Sequence, residues 1–112
     1  MAQLSIDTDM RRAVGLMRVS GRVDSETAPQ LDRALSQLLA DRSNVVLNLQ
    51  GVDYLSSAGL RAMVKAYQEA RRAGGDVRLS AVSEPIEVIL RTVGMMQMLK
   101  MFPSDQEALE SF

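Results

Sequence analysis

The chain of 112 residues contains no cysteine and no histidine. Without cysteine there is no disulfide framework, and a cytoplasmic address is the expectation. Without either residue, Ser-His-Asp and Cys-His nucleophile systems cannot be assembled from this chain. A transition-metal site would rest on carboxylates alone, a poor donor set for zinc. No metal or cofactor is therefore expected, and most enzyme readings end here. The formal net charge is −1, so no overall basic field draws in nucleic acid or an anionic membrane. No apolar run approaches the roughly 20 residues of a membrane span. The N-terminal "MAQLSIDTDMRR" also lacks the apolar stretch of a signal peptide.

What is present is ordinary for a soluble globular protein: 46% hydrophobic and 24% charged residues. The length suits one domain with a real core, here residues 1–112, and no repeat, linker or low-complexity segment divides it. "LSIDT" (4–8) alternates like a half-buried strand, and "RRAVGLMRVSGRV" (11–23) reads as a second strand, with a hairpin turn at the polar "DM-RR" junction. "DSETAPQLDRALSQLLA" (24–40) is helical, with Leu31, Ala34, Leu35, Leu38 and Leu39 on one face. Asp24, Ser25 and Thr27 are its candidate caps, and Pro29 fits only its first turn.

"NVVLNL" (44–49) is a short apolar run that reads as a buried strand. A second helix spans about Ser57 to Ala73 and carries Leu60, Met63, Val64 and Tyr67 at helical spacing. Gly74 or Gly75 then serves as its left-handed stop. "VRLSAV" (77–82) is a strand and "EPIEVILRTV" (84–93) a helix. The tail holds a short strand and a terminal helix capped by Ser104. The order ββαβαβαβα, with successive β-helix-β crossovers, predicts an α/β domain with parallel neighbouring strands covered by helices.

The junction "VDYLSSAGLR" places Ser56 and Ser57 where a helix begins. Free backbone amides and the helix dipole favour negative charge there. A serine at this point either caps the helix, which is worth about 1 kcal/mol, or accepts a phosphate that the free amides receive. Gly59 serves either a close backbone approach or simple packing.

The segment "VVLNLQGVDYLSSAGLRAMVKAYQEARRAGGDVRLSAV" resembles the centre of STAS domains, in particular the bacterial anti-sigma factor antagonists. The likeness extends upstream to "GRVDSETAPQLDRAL" and downstream to "EPIEVILRTVGMMQMLKMFPSDQEAL". It implies the STAS fold, a four- to five-stranded mixed sheet with about four helices packed on it. It also implies a function: the unmodified protein binds an anti-sigma factor serine kinase and so frees a sigma factor. Phosphorylation of one serine at this helix start switches it off, and a PP2C-type phosphatase restores it.

One departure stands out. The family pattern reads Asp-Ser-Ser-Gly-Leu or Asp-Ser-Thr-Gly-Leu, with the acceptor hydroxyl directly before the glycine. Here that position is Ala58, and Ser56 occupies the place of the aspartate. Ser57 is the favoured acceptor and Ser56 the alternative; a silent site would leave a permanent binder. The docking face implied by the resemblance comprises Asp24, Ser25, Thr27, Ser56, Ser57, Ala58, Gly59 and Arg61.

Two rival readings remain at this point. One is a STAS module with a non-transcriptional output, as a signalling scaffold or lipid-transport subunit. The other is a small hydrolase or transferase acting through Ser57. A monomer is the simplest expectation. The run "GMMQMLKM" holds four of the eight methionines, suited equally to an adaptable surface and to an irregular core.

Overall fold

The computed structural model describes residues 3–112. The first two strands form an antiparallel hairpin, β1 (Leu4–Arg11) and β2 (Val14–Val23), with Arg11 opposite Val14. The turn is thus Arg12-Ala13, later than the polar junction suggested, and Arg12 takes a left-handed φ of 61° to close it. β1 accordingly runs three residues beyond the expected 4–8. Pairing with β2 holds Asp9 and Arg11 in the strand despite their charge, and they form an ion pair at its exposed end.

Helix α1 (Ala28–Asp41) leads to β3 (Asn44–Leu55), α2 (Ser57–Arg72) to β4 (Asp76–Ser80), and α3 (Glu84–Thr92) through a 3-10 turn to β5 (Met101–Phe102). A short α4 (Asp105–Glu110) ends the chain, and Ser104 caps it by accepting the Glu107 amide at 3.2 Å. The strands lie side by side in chain order, β1 antiparallel to β2 and all later neighbours parallel. The predicted parallel crossovers are therefore present.

Because every crossover steps in the same direction, the three crossover helices collect on one face of the sheet. There Leu31, Leu35 and Leu38 of α1, Met63 and Ala66 of α2, and Ile86 and Leu90 of α3 bury Met17, Val45, Leu47, Val77 and Leu79. The opposite face carries a smaller cluster, Val14, Leu16, Val46 and Ala108, beneath α4. β3 is central and alternates between these two buried faces, which is why "NVVLNL" reads as a nearly continuous apolar run. Burying the large aliphatic side chains contributes about 1.5–3 kcal/mol each.

On α2 the buried stripe is Gly59, Ala62, Met63, Ala66 and Ala70. Leu60, Val64 and Tyr67 flank it half-buried. Small residues in that stripe let the helix lie close to the sheet. The helix stops at a Schellman arrangement in which Gly74 (φ 85°) donates to Arg71 and Gly75 donates to Ala70 at 2.8 Å. Of the methionine run, Met95 is buried and Met96, Met98 and Met101 pack half-buried against the same core.

Candidate functional site

The C-terminal ends of β2 and β3 bring the starts of α1 and α2 together. β3 continues six residues past the expected end at Leu49, because β2 pairs with it throughout: Gly21 opposite Val52, Arg22 opposite Tyr54, Val23 opposite Leu55. The register shifts twice along this pairing, between Arg18 and Ser20 and between Gly21 and Arg22. The backbone then turns directly into α2, and the Ser56 amide donates to the Val23 carbonyl at 2.9 Å.

Ser56 is the helix cap. It has extended backbone, and its hydroxyl accepts the Gly59 amide at 3.3 Å. Ser57 is the first helical residue, and its side chain is exposed. Among the described residues no side chain hydrogen-bonds to the Ser57 hydroxyl, and no carboxylate stands in the first turn of α2. Ala58 is half-buried, and Arg61 is exposed one turn further on. Gly59 is buried: a Cβ there would lie 2.6 Å from Val23 Cγ1 and 2.7 Å from Leu55 Cδ1. Packing, not a partner, requires this glycine.

The loop before α1 supplies the other wall. Asp24 does not begin the helix, which starts four residues later than expected, at Ala28. Its carboxylate accepts the amides of Glu26 and Thr27 at 2.9 and 3.0 Å and so folds the segment into a turn. Thr27 occupies the cap position without a side-chain cap bond. Its buried hydroxyl instead donates to the Arg22 carbonyl at 2.7 Å and accepts the Asp24 amide at 2.9 Å. Pro29 sits in the first turn as its chemistry requires. Ser25 is exposed. Of the residues expected on a docking face, Thr27 and Gly59 therefore shape it from beneath. Asp24, Ser25, Ser56, Ser57, Ala58 and Arg61 line one open groove of about 430 Å³.

Three further residues in this groove, Arg22, Glu26 and Tyr54, were not among those expected there. The Arg22 guanidinium lies 3.9 Å from the centre of the Tyr54 ring and 3.3 Å from the Asp24 carboxylate. The signal that identifies Arg22 and Tyr54 is the β2–β3 register, which no local pattern encodes. The Thr27 amide, joined by the Glu26 amide, the Thr27 hydroxyl and Arg22, holds the Asp24 carboxyl below its ordinary range, against the opposing effect of burial. Asp24 is thus an anion whose oxygens are already engaged.

The groove joins two others along α2. One lies between α1 and α2 over Ala28, Ala58 and Ala62, and Lys65 and Asp32 pair across it at 3.2 Å. The second lies between α2 and the 3-10 turn, lined by Leu60, Val64, Val93 and Met98. Together they make a surface of hydroxyl, cationic and apolar groups edged by the acids Asp24, Glu26 and Asp32. No group of three or more potential metal ligands occurs among the described residues. No helix of the described residues is long and apolar enough to cross a membrane.

Comparison with known proteins places this geometry. Residues 5–108 match the STAS domain. The anti-sigma F factor antagonist of Paenibacillus polymyxa is 23% identical over 108 residues, covering 95% of this chain and 92% of its own. The crystal structure of an anti-sigma factor antagonist from Mycobacterium paratuberculosis shares the fold with a TM-score of 0.88 at 24% identity, over 97% of this chain and 93% of that one. The Bacillus cell fate determinant SpoIIAA in its phosphorylated form gives a TM-score of 0.75 at 15% identity, over 96% and 98% of the two chains. The five-stranded mixed sheet and four helices are common to this group. With a match spanning nearly its whole length, the chain belongs to the STAS domain family.

Proposed function

We propose that this chain is an anti-sigma factor antagonist that docks on an anti-sigma factor serine kinase through the start of α2 and is switched off by phosphorylation of Ser57. The observation that carries the site assignment is the contrast between neighbouring serines. Ser56 spends its hydroxyl on the Gly59 amide, whereas Ser57, exposed at the helix start, has no side-chain hydrogen bond among the described residues. Where the family places its acceptor there is only a methyl group, Ala58. Relatives named as anti-sigma factor antagonists, and a protein of the same fold solved in a phosphorylated form, support the reading.

In the transfer step the Ser57 Oγ attacks the γ-phosphorus of ATP. An ester O–P bond forms, the bridging bond to the β-phosphate breaks, and ADP leaves. The hydroxyl proton passes to a base of the kinase. Of the carboxylates in this groove, Asp24 is already engaged by two amides and Arg22. The product carries about −1.5 to −2 charge at the centre of the docking face. A phosphatase of PP2C type returns the hydroxyl by hydrolysis of the ester. A loss of about 3 kcal/mol in binding weakens the complex more than a hundredfold, enough to release the kinase to its sigma factor.

The test incubates the protein with ATP and an anti-sigma factor serine kinase from the same organism, followed by intact mass and peptide mapping, alongside Ser57→Ala and Ser56→Ala. The expected result is a single phosphate, absent only from Ser57→Ala. Tight binding without any phosphate would replace the switch with a permanent binder, and no binding at all would remove the antagonist reading.

A further inference from the structure

Arg61 follows Ser57 by one helical turn on α2, so the two side chains share a face with Cβ atoms about 5–6 Å apart. Its guanidinium has no ion pair among the described residues. The nearby cations are engaged, Arg22 by Asp24 at 3.3 Å and Lys65 by Asp32 at 3.2 Å. Arg61 also lines all three grooves that meet around the helix start: with Tyr54 and Ser57, with Ala28 and Ala62, and with Leu60 and Met98. It is a cation without an ion-pair partner among the described residues, where the three grooves meet.

We propose that Arg61 captures the phosphate of Ser57, so that phosphorylation withdraws this guanidinium from the docking face as well as adding negative charge to it. The inference rests on the reading of Ser57 as the acceptor. A guanidinium presents a planar fork that matches two phosphate oxygens, which a lysine at the same place would not. Arg22 is a poorer candidate, since Asp24 and the Tyr54 ring already hold it. The Asp24 carboxylate, ionised in the same groove, repels a phosphate from that wall and favours the Arg61 side. The unmodified protein therefore offers its partner a free cation flanked by apolar grooves, which fits an acidic group with apolar neighbours on that partner. The phosphorylated protein satisfies the same cation internally.

Phosphoserine placed at position 57 during synthesis, by a suppressor codon, tests this without any kinase. Phosphorus NMR then follows the second ionisation of that phosphate against pH. It should fall about half a pH unit lower in the native background than in Arg61→Gln, the size of an exposed ion pair. Arg61→Lys should recover part of the difference, and Arg22→Gln should keep most of it. Equal ionisation in the native and Arg61→Gln backgrounds would overturn the proposal. So would a difference lost in Arg22→Gln instead. Melting curves of the exposed Arg61→Gln variant should overlay the native ones, which separates capture from damage to the fold. Because the phosphate is built in, a kinase that ignores Ser57 counts against the acceptor reading alone, and an unchanged titration counts against Arg61 alone.

Discussion

Two helices of this domain open in the same way and lead to different ends. Both α2 and α4 begin with a serine whose hydroxyl accepts the amide three residues on, Ser56 from Gly59 and Ser104 from Glu107. After Ser104 comes Asp105, which turns inward. It accepts the Ser80 hydroxyl at 2.6 Å and the Asn48 amide at 2.7 Å, with Arg18 at 3.6 Å. After Ser56 comes Ser57, which turns outward and bonds to nothing among the described residues. The first turn of α4 carries acid, Asp105 and Glu107, and so does that of α3, with Glu84 and Glu87; that of α2 carries none. The cap is a structural device in both places. The residue after it decides whether the helix start serves the core or remains open to added negative charge.

The largest expected effect lies on the structural side of the comparison. Asp105→Ala removes the shared acceptor of a fully buried Ser80 hydroxyl and a buried Asn48 amide. Leaving those donors unsatisfied should cost about 1–3 kcal/mol, read as a lower denaturant midpoint at unchanged slope. The phosphorylation proposed for Ser57, on the far side of the sheet, should be unaffected. A loss of phosphorylation in a variant that remains folded would mean the two ends of the domain are coupled, and the contrast would fail.

The next effect separates the adjacent serines. Ser56→Ala should cost about 1 kcal/mol, because the Gly59 amide loses its acceptor. Ser57→Ala should stay within about 0.5 kcal/mol of the native protein, as exposed substitutions without partners do. Urea titrations of the two variants under one set of conditions measure the gap. Equal costs would make Ser57 a structural residue and weaken its assignment as the acceptor.

The element order, the parallel crossovers, the Ser104 cap and the glycine stop after α2 were legible because each rests on local chemistry: helical spacing, a cap, a left-handed residue. The site was legible in part for the same reason, since the serine pair stands at a strand-to-helix junction. What stayed hidden depends on pairing between distant segments. The polar second half of β3, with Gln50, Asp53 and Tyr54 exposed, is a strand only because β2 runs beside it. That same register brings Arg22 onto Tyr54, and the topology brings Asn48, Ser80 and Asp105 together. The start of α1 was misplaced because Asp24, a good cap in isolation, was instead used to fold the turn before Thr27.

The smallest effect tests that turn, where the structural and functional uses of a residue overlap. The Thr27 amide first, then the Glu26 amide, the Thr27 hydroxyl and Arg22, hold the Asp24 carboxyl below its ordinary 3.8 in the folded chain, while burial opposes them. A depressed folded value means that the stabilisation is fully present above 3.8 and is lost as the pH falls through the folded value. Asp24→Asn has no group to titrate there, and its amide oxygen still reaches the two backbone donors. The stability difference between native and Asp24→Asn should therefore be flat from about pH 8 to about pH 5 and shrink below about pH 4. Asp9, also lowered by its bond to Arg11, titrates alike in both proteins and cancels from the difference. Urea midpoints of the pair across that range supply the measurement. A difference that grew on acidification would show that the Asp24 charge is unwelcome in the fold, so that the residue would be kept for docking at a cost in stability. A difference that shrinks places it with Asp105, as a side chain whose oxygens the fold uses, at the edge of a surface where Ser57 and Arg61 have no side-chain partner among the described residues.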